Sequence, residues 1–155
     1  MKQGVRAAVV LMSAGKVLLV RHVDPVTAEE WWVPPGGALE DHDATVFSCA
    51  QREAREETGL SVVAGRLIYY REFRDSARDT RWVELYFLGE SFTGTLAVDR
   101  AAQSRPPERY VREARWFARD DLAQIRVFPE MLRDQLWQDA ESGFSHVLYL
   151  GVAAG

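Results

Sequence analysis

Arg52-Glu53-Ala54-Arg55-Glu56-Glu57-Thr58-Gly59-Leu60 is the stretch on which the reading of this chain turns. A helix advances about 100° per residue, so Glu53, Glu56 and Glu57 fall within an arc of roughly 100°. Carboxylates at i,i+3 and i,i+4 spacing repel, and near a helix C-terminus the macrodipole adds to the cost. Local stability alone does not select this arrangement. A divalent cation reverses both penalties, and carboxylate oxygens suit hard ions such as Mg²⁺ or Mn²⁺. Taken without context, a solvated glutamate face with Arg52 and Arg55 as pairing partners accounts for the same residues.

The surroundings sharpen the choice. Residues 43–58 read as a helix, with Asp43 placed to cap its N-terminus. Val46, Phe47, Ala50 and Ala54 form an apolar stripe on another side of that helix. Gly59 suits the left-handed closing position, with Leu60 beyond it for the closing contact. Upstream, Trp31-Trp32-Val33-Pro34-Pro35-Gly36-Gly37 forbids regular helix at the prolines and permits an unusual path at the glycines. Residues 5–12 and 16–22 flank Ser13-Ala14-Gly15 as a hairpin. Downstream, residues 61–73 and 81–92 read as long strands, 113–117 as a short strand and 120–124 as one helical turn. Residues 129–140 read as an amphipathic helix with Pro129 in its first turn, and 144–152 as a final strand. Strands and helices mix without regular alternation, which implies an α/β (α+β) fold with a mixed sheet and helices on its faces.

Composition narrows the class. The 155 residues, 47% hydrophobic and 27% charged, suit one domain spanning 1–155. A net charge of -4 argues against stable DNA or RNA binding, which favours a basic face. The single cysteine, Cys49, permits no intrachain disulfide and reads as a small buried residue. No run approaches the roughly 20 apolar residues of a membrane span, and the short apolar run after Arg6 is not a secretory segment. The expected location is cytoplasmic, with no membrane partner.

Trp32-Val33-Pro34-Pro35-Gly36-Gly37-Ala38-Leu39-Glu40 and Ala50-Gln51-Arg52-Glu53-Ala54-Arg55-Glu56-Glu57-Thr58-Gly59-Leu60 together resemble the box of the Nudix hydrolase family (MutT-like), here at about residues 37–60. The family pattern is Gly, five residues, Glu, seven residues, then Arg-Glu-hydrophobic-any-Glu-Glu-any-Gly-hydrophobic. The second half matches at every defined position, with Ala54 as the hydrophobic residue. One departure stands out: Asp43 occupies the position of the first Glu, and one extra residue separates it from Arg52. The resemblance implies an α/β/α sandwich and hydrolysis of a diphosphate linkage. It implies Mg²⁺ or Mn²⁺ held by Glu53, Glu56, Glu57 and the Gly37 carbonyl, with these glutamates acting in catalysis. It also implies that a carboxylate, Asp43 or else Glu40, supports the box through Arg52, and that Gly59 ends its helix.

Members of the family recruit a further carboxylate from a later segment. Glu84, Glu108 and Glu113 are the candidates for an extra metal ligand or the general base, with Glu108, after Pro106-Pro107, favoured and Glu57 the alternative proton acceptor. Among Arg21, Arg71, Arg74, Arg78 and Arg81, the first two are the candidates for gripping the substrate, because a guanidinium presents paired donors to phosphate. Trp31, Trp32, Tyr69, Phe73, Trp82 and Tyr86 are candidate stacking partners for a base or core residues. His22, His42 and His146 show no ligand spacing. The expected partner is a small nucleotide-diphosphate substrate: a nucleoside triphosphate, an oxidised nucleotide, ADP-ribose or a nucleotide sugar. By analogy a homodimer is compatible. The competing class is a non-catalytic nucleotide-sensing module on the same fold, which would be expected to lose box carboxylates that this chain keeps.

Overall fold

Strand β1 (Lys2–Val10) is apolar on both faces over Ala7–Val10, and that property places it inside a sheet rather than at an edge. The computed structural model describes residues 1–97 and 111–155. In chain order, β1 is followed by β2 (Met12–Ser13), β3 (Lys16–Val23), β4 (Glu30–Val33), β5 (Gly36–Ala38) and helix α1 (Val46–Thr58). Then come β6 (Ser61–Asp75), β7 (Thr80–Thr93), β8 (Val111–Ala118), 3₁₀ turns at Arg119–Gln124 and Glu130–Arg133, helix α2 (Gln135–Glu141) and β9 (Leu148–Ala154).

Five strands form a mixed sheet in the order β5-β1-β7-β6-β9. β1 runs parallel to β7 and antiparallel to β5, while β6 is antiparallel to β7 and parallel to β9. A second sheet is built on β3, which pairs with β2, β4 and β8, all antiparallel. Helix α1 lies on one face of the mixed sheet, where Cys49 and Ala50 pack with Ala7 and Phe87, and Ala54 packs with Val9 and Leu11. Val10, one residue out of phase, faces the other way into a core with Tyr69, Tyr86, Leu132 and Leu136. The mixed sheet thus carries helices on both faces, as expected.

Four expectations need correction. The turn at Ala14-Gly15 forms with positive φ at both residues (51° and 74°), but only β2 pairs with β3. The long strand expected as the hairpin's first arm goes instead to the mixed sheet, because its two apolar faces need cover on both sides. The chain changes sheets at Leu11, whose carbonyl still accepts from Leu18 N–H at 3.0 Å.

Helix α1 starts at Val46, not at residue 43. Its N-cap is Thr45, with extended backbone and a hydroxyl accepting from Ser48 N–H at 3.0 Å. Residues 129–140 do not form one helix. The 3₁₀ turn and α2 are separated at Asp134 (φ -130°, ψ -64°), and Arg133 donates back to the carbonyls of Leu122 and Ile125. The last strand begins at Leu148, four residues late, because Gly143 and Phe144 make a turn with positive φ. That turn delivers the Phe144 ring edge-on to Tyr69 in the core.

Replacing Thr45 by Ala removes the cap acceptor and is expected to cost about 1 kcal/mol in urea unfolding, with Thr45→Ser close to the parent. A Thr45→Ala protein as stable as the parent would show that the cap contributes nothing.

Candidate metal and diphosphate site

The site is a close approach of one loop to one helix. On β5, Gly36 and Gly37 stand opposite Ala8 and Ala7 of β1. A Cβ on Gly37 would lie 2.5 Å from the Glu53 carboxylate, so only glycine lets this backbone meet that side chain. Glu57, one turn on, accepts from Gly36 N–H at 2.8 Å. Glu53 and Glu57 are 1% and 3% exposed, buried beside the apolar residues Cys49, Ala50 and Ala54. The carboxylates therefore do not occupy a face of their own; two of the three share the buried side of α1. Phe47, expected in the apolar stripe, packs its ring on Phe87 while staying 42% exposed. At the far end, Gly59 takes φ 79° and donates to the Arg55 carbonyl at 2.9 Å, closing the helix as the sequence implies.

Arg52 organises the charge. Its Nε and Nη2 donate to the two oxygens of Asp43 at 2.8 and 2.9 Å, a bidentate pair. Its Nη1 donates to Glu53 at 2.9 Å and Glu56 at 3.5 Å, and its Nη2 also reaches the Ala38 carbonyl at 3.3 Å. The glutamates therefore have a cation on their own helix, contrary to a face of bare repulsion. Asp43 is not the helix cap because its carboxylate is committed to Arg52. Glu40, the alternative support, sits beside His42 at 3.3 Å, and its backbone N–H donates to Asp43 at 2.9 Å. Helix α1 is regular from Val46 onward, so the extra residue of the box is taken up in the loop before Thr45.

Arg52 holds the Asp43 carboxyl down at about 2, from an ordinary 3.8, against the opposing effect of burial. Burial, followed by the Asp43 charge, pushes the Cys49 thiol up to about 12. Cys49 Sγ lies 3.5 Å from the Ala38 carbonyl and is a packed, unreactive thiol. For a hard divalent cation the donor set has the right chemistry: carboxylate oxygens beside the Gly37 backbone. Among the described residues no three Asp, Glu, His or Cys side chains converge on one point. Glu53 is turned to Arg52 and Glu57 to Gly36 N–H.

A family model for the NUDIX domain matches residues 1–136. The chain belongs to the NUDIX domain family. It is 33% identical over 88 residues to the uncharacterized Nudix hydrolase YvcI of Bacillus subtilis (strain 168). That match covers 55% of this chain and 52% of YvcI, so it spans about half the length of the curated relative. The fold is similar to the MutT NUDIX hydrolase from Burkholderia pseudomallei, at TM-score 0.68 and 25% identity, covering 88% of this chain and 99% of that one. It is also similar to the E. coli ORF135 protein, at TM-score 0.71 and 19% identity, covering 94% and 96%.

Outside the Nudix box, the remaining candidates are dispersed. Glu108 lies outside the described residues. Glu113 is paired with Arg115 at 2.6 Å. Glu84 accepts from Arg71 and from the Tyr86 hydroxyl at 3.3 Å. Arg21 donates to Glu30 at 3.1 Å on the second sheet, opposite Trp32 and Glu113, and so is not gathered with the box glutamates. Trp32, Tyr69 and Tyr86 are core residues. Sequence reading passed over Arg6, which stands opposite Ala38 and beside Glu84, and over the environment of His22. Strand alternation along β1 was the available signal, since Arg6 shares a face with Ala8 and Val10.

The Asp43–Arg52 pair has a pH signature. A carboxyl whose folded pKa is depressed stabilises above its unfolded pKa and loses that contribution as pH falls through the folded value. Parent stability should therefore fall between about pH 4 and pH 2. Asp43→Asn should lose roughly 1.5–3 kcal/mol at neutral pH and lack that part of the slope, as urea titrations at pH 7, 4 and 2.5 would show. Equal stability at neutral pH would remove the pair from its supporting role.

Proposed function

We propose that the chain is a Nudix pyrophosphohydrolase that cleaves the diphosphate linkage of a nucleoside diphosphate joined to another group. The observation that carries this reading is the burial of Glu53 and Glu57 against the Gly36–Gly37 backbone. Carboxylates are rarely buried without a purpose that repays desolvation. Glu53, Glu56, Glu57 and the Gly37 carbonyl would hold Mg²⁺ or Mn²⁺. Such an ion supplies charge neutralisation for the phosphates and a more acidic water.

The chain's own groups then have distinct tasks. Arg52, with Asp43, sets the tilt of α1 and fixes where Glu53 and Glu56 point. The water's proton passes to a carboxylate. Glu84 and Glu113 are each engaged by an arginine, which leaves Glu108 as the proposed general base, with Glu57 the alternative within the box. The named relatives support hydrolysis and do not choose among nucleoside triphosphates, oxidised nucleotides, ADP-ribose and nucleotide sugars. Among the described residues no helix is long and apolar enough to cross a membrane, and we place the enzyme in the cytoplasm, acting on small molecules as one domain over residues 1–155.

The test is a panel of nucleotides and nucleotide sugars with product identification, with Mg²⁺, with Mn²⁺ and with EDTA. EDTA should abolish turnover and either metal should restore it. Glu57→Gln keeps an acceptor for Gly36 N–H and removes the charge, so kcat should fall by on the order of 10²-fold, about 2.7 kcal/mol. Thermal stability should stay near the parent. Full activity in EDTA, or wild-type kcat in both Glu56→Gln and Glu57→Gln, would refute the reading.

A further inference from the structure

The face of the mixed sheet turned away from α1 carries a charged row that the box chemistry does not use. Ala38, Arg6, Glu84 and Arg71 are cross-strand neighbours in one row over β5, β1, β7 and β6. Strands are about 4.8 Å apart, so the row starts at the box strand and extends roughly 14 Å from it. Residues on one row share a face, and Ala7, Leu85 and Phe87 on the alternate positions pack toward α1.

Glu84 is the centre of the row. It accepts from Arg71 Nε and from the Tyr86 hydroxyl, and Arg6 Nε lies 3.8 Å away on its other oxygen. Each guanidinium also rests on an aromatic ring of the next row: Arg6 over Trp82 at 5.5 Å, and Arg71 over Phe73 at 5.9 Å. Gly4 makes room for this platform, since a Cβ there would lie 2.5 Å from the Trp82 ring. Arg71 and Glu84 are 14% and 13% exposed, and Arg6 is 32% exposed. Two guanidiniums against one carboxylate leave a net positive charge in the row. A single ion pair would have been neutral.

His22, from β3 in the other sheet, lies within electrostatic reach of Arg6. It is 7% exposed, stacked on Trp31, and its Nε2 is buried without a hydrogen-bond partner among the described residues. Burial first, and then the Arg6 charge, hold its pKa down at about 3, so it is a neutral imidazole beside Arg6 at physiological pH. A buried ring nitrogen left unsatisfied has a cost that a bound polar group removes.

We infer that Arg6 and Arg71, held apart by Glu84, form a subsite for an anionic acceptor group, a phosphate or a carboxylate, on the part of the substrate beyond the hydrolysed diphosphate. The inference rests on the hydrolase reading for its place in the reaction, while the subsite itself binds anions whether or not the box is loaded. Glu84 is a positioning residue: it holds both guanidiniums on their rings and limits the charge of the site, so that the site selects acceptor geometry as well as charge.

The test is isothermal titration of the full chain in EDTA with inorganic pyrophosphate, citrate and an uncharged nucleoside in parallel. Pyrophosphate or citrate should bind, and Arg6→Gln and Arg71→Gln should each weaken binding at least tenfold. Arg74→Gln, on the opposite face of β6, should leave it unchanged. Glu84→Gln, with folding checked by thermal melting, should tighten anion binding, because it removes the negative charge and keeps an acceptor. Whichever of pyrophosphate and citrate binds in an Arg6-dependent way identifies the group. No anion binding, binding indifferent to both arginine variants, weakening in a folded Glu84→Gln, or Arg6-dependent binding of the uncharged nucleoside alone would overturn the inference. Absence of turnover of every panel substrate with Mg²⁺ and with Mn²⁺, with anion binding intact, would refute the hydrolase reading and leave the subsite standing.

Discussion

The bidentate pair between Arg52 and Asp43 is the constraint on which the rest of the site depends. It joins the loop after β5 to the middle of α1, and the same guanidinium holds Glu53, Glu56 and the Ala38 carbonyl. A shift of the loop is therefore a shift of the carboxylates. The pair also explains how the box tolerates its departure. Asp43 has a shorter arm than glutamate, and the extra residue lets the chain turn at Glu40–Asp43, where Asp43 N–H donates to the Glu40 carbonyl at 3.0 Å. From that turn the Asp43 side chain reaches both guanidinium nitrogens.

Burying Glu53 and Glu57 is costly, and charge-assisted hydrogen bonds offset that cost. A buried carboxylate loses several kcal/mol of hydration. Arg52 and Gly36 N–H return part of that through charge-assisted hydrogen bonds. One partner is a guanidinium shared among several acceptors, the other the backbone amide that opens a short strand. An apolar pair at positions 53 and 57 would pack against Ala50 and Ala54 without such compensation. Such burial is an expensive way to stabilise a helix, and that expense is the physical ground for the proposed cation site.

Legibility followed the range of the interaction. Helix α1, its glycine stop and the long β6–β7 pair were readable because periodicity and turn chemistry are local. The sheet assignment of β1 was not, because an apolar run beside a good turn looks like a hairpin arm, and only the second apolar face reveals a central strand. The cap at Thr45 was missed because Asp43 is an equally good capping residue until Arg52 claims it from nine positions away. The break at Asp134 follows from Arg133 reaching Leu122 and Ile125, contacts that periodicity does not contain. Within the site, the three glutamates, Gly37 and Arg52 were visible as a pattern. Arg6 and the setting of His22 were not, because they come together only when two sheets are placed face to face.

That juxtaposition bears on why one strand carries so much of the molecule. β1 contributes Ala7 and Val9 to the floor under α1 and Val10 to the core under α2. It pairs with the box strand on one side and with β7 on the other. Its residues alternate faces, so the face that carries Val10 and Ala8 continues toward the start of the strand with Arg6 and Gly4. There the same backbone that fixes Gly37 against Glu53 also fixes Arg6 against Glu84. The spacing between Gly37 and the arginine row is thus set by sheet geometry, while the Asp43–Arg52 pair sets the glutamates against that backbone. A substrate spanning the two would be measured against a rigid distance, and discrimination by length requires nothing more than that rigidity.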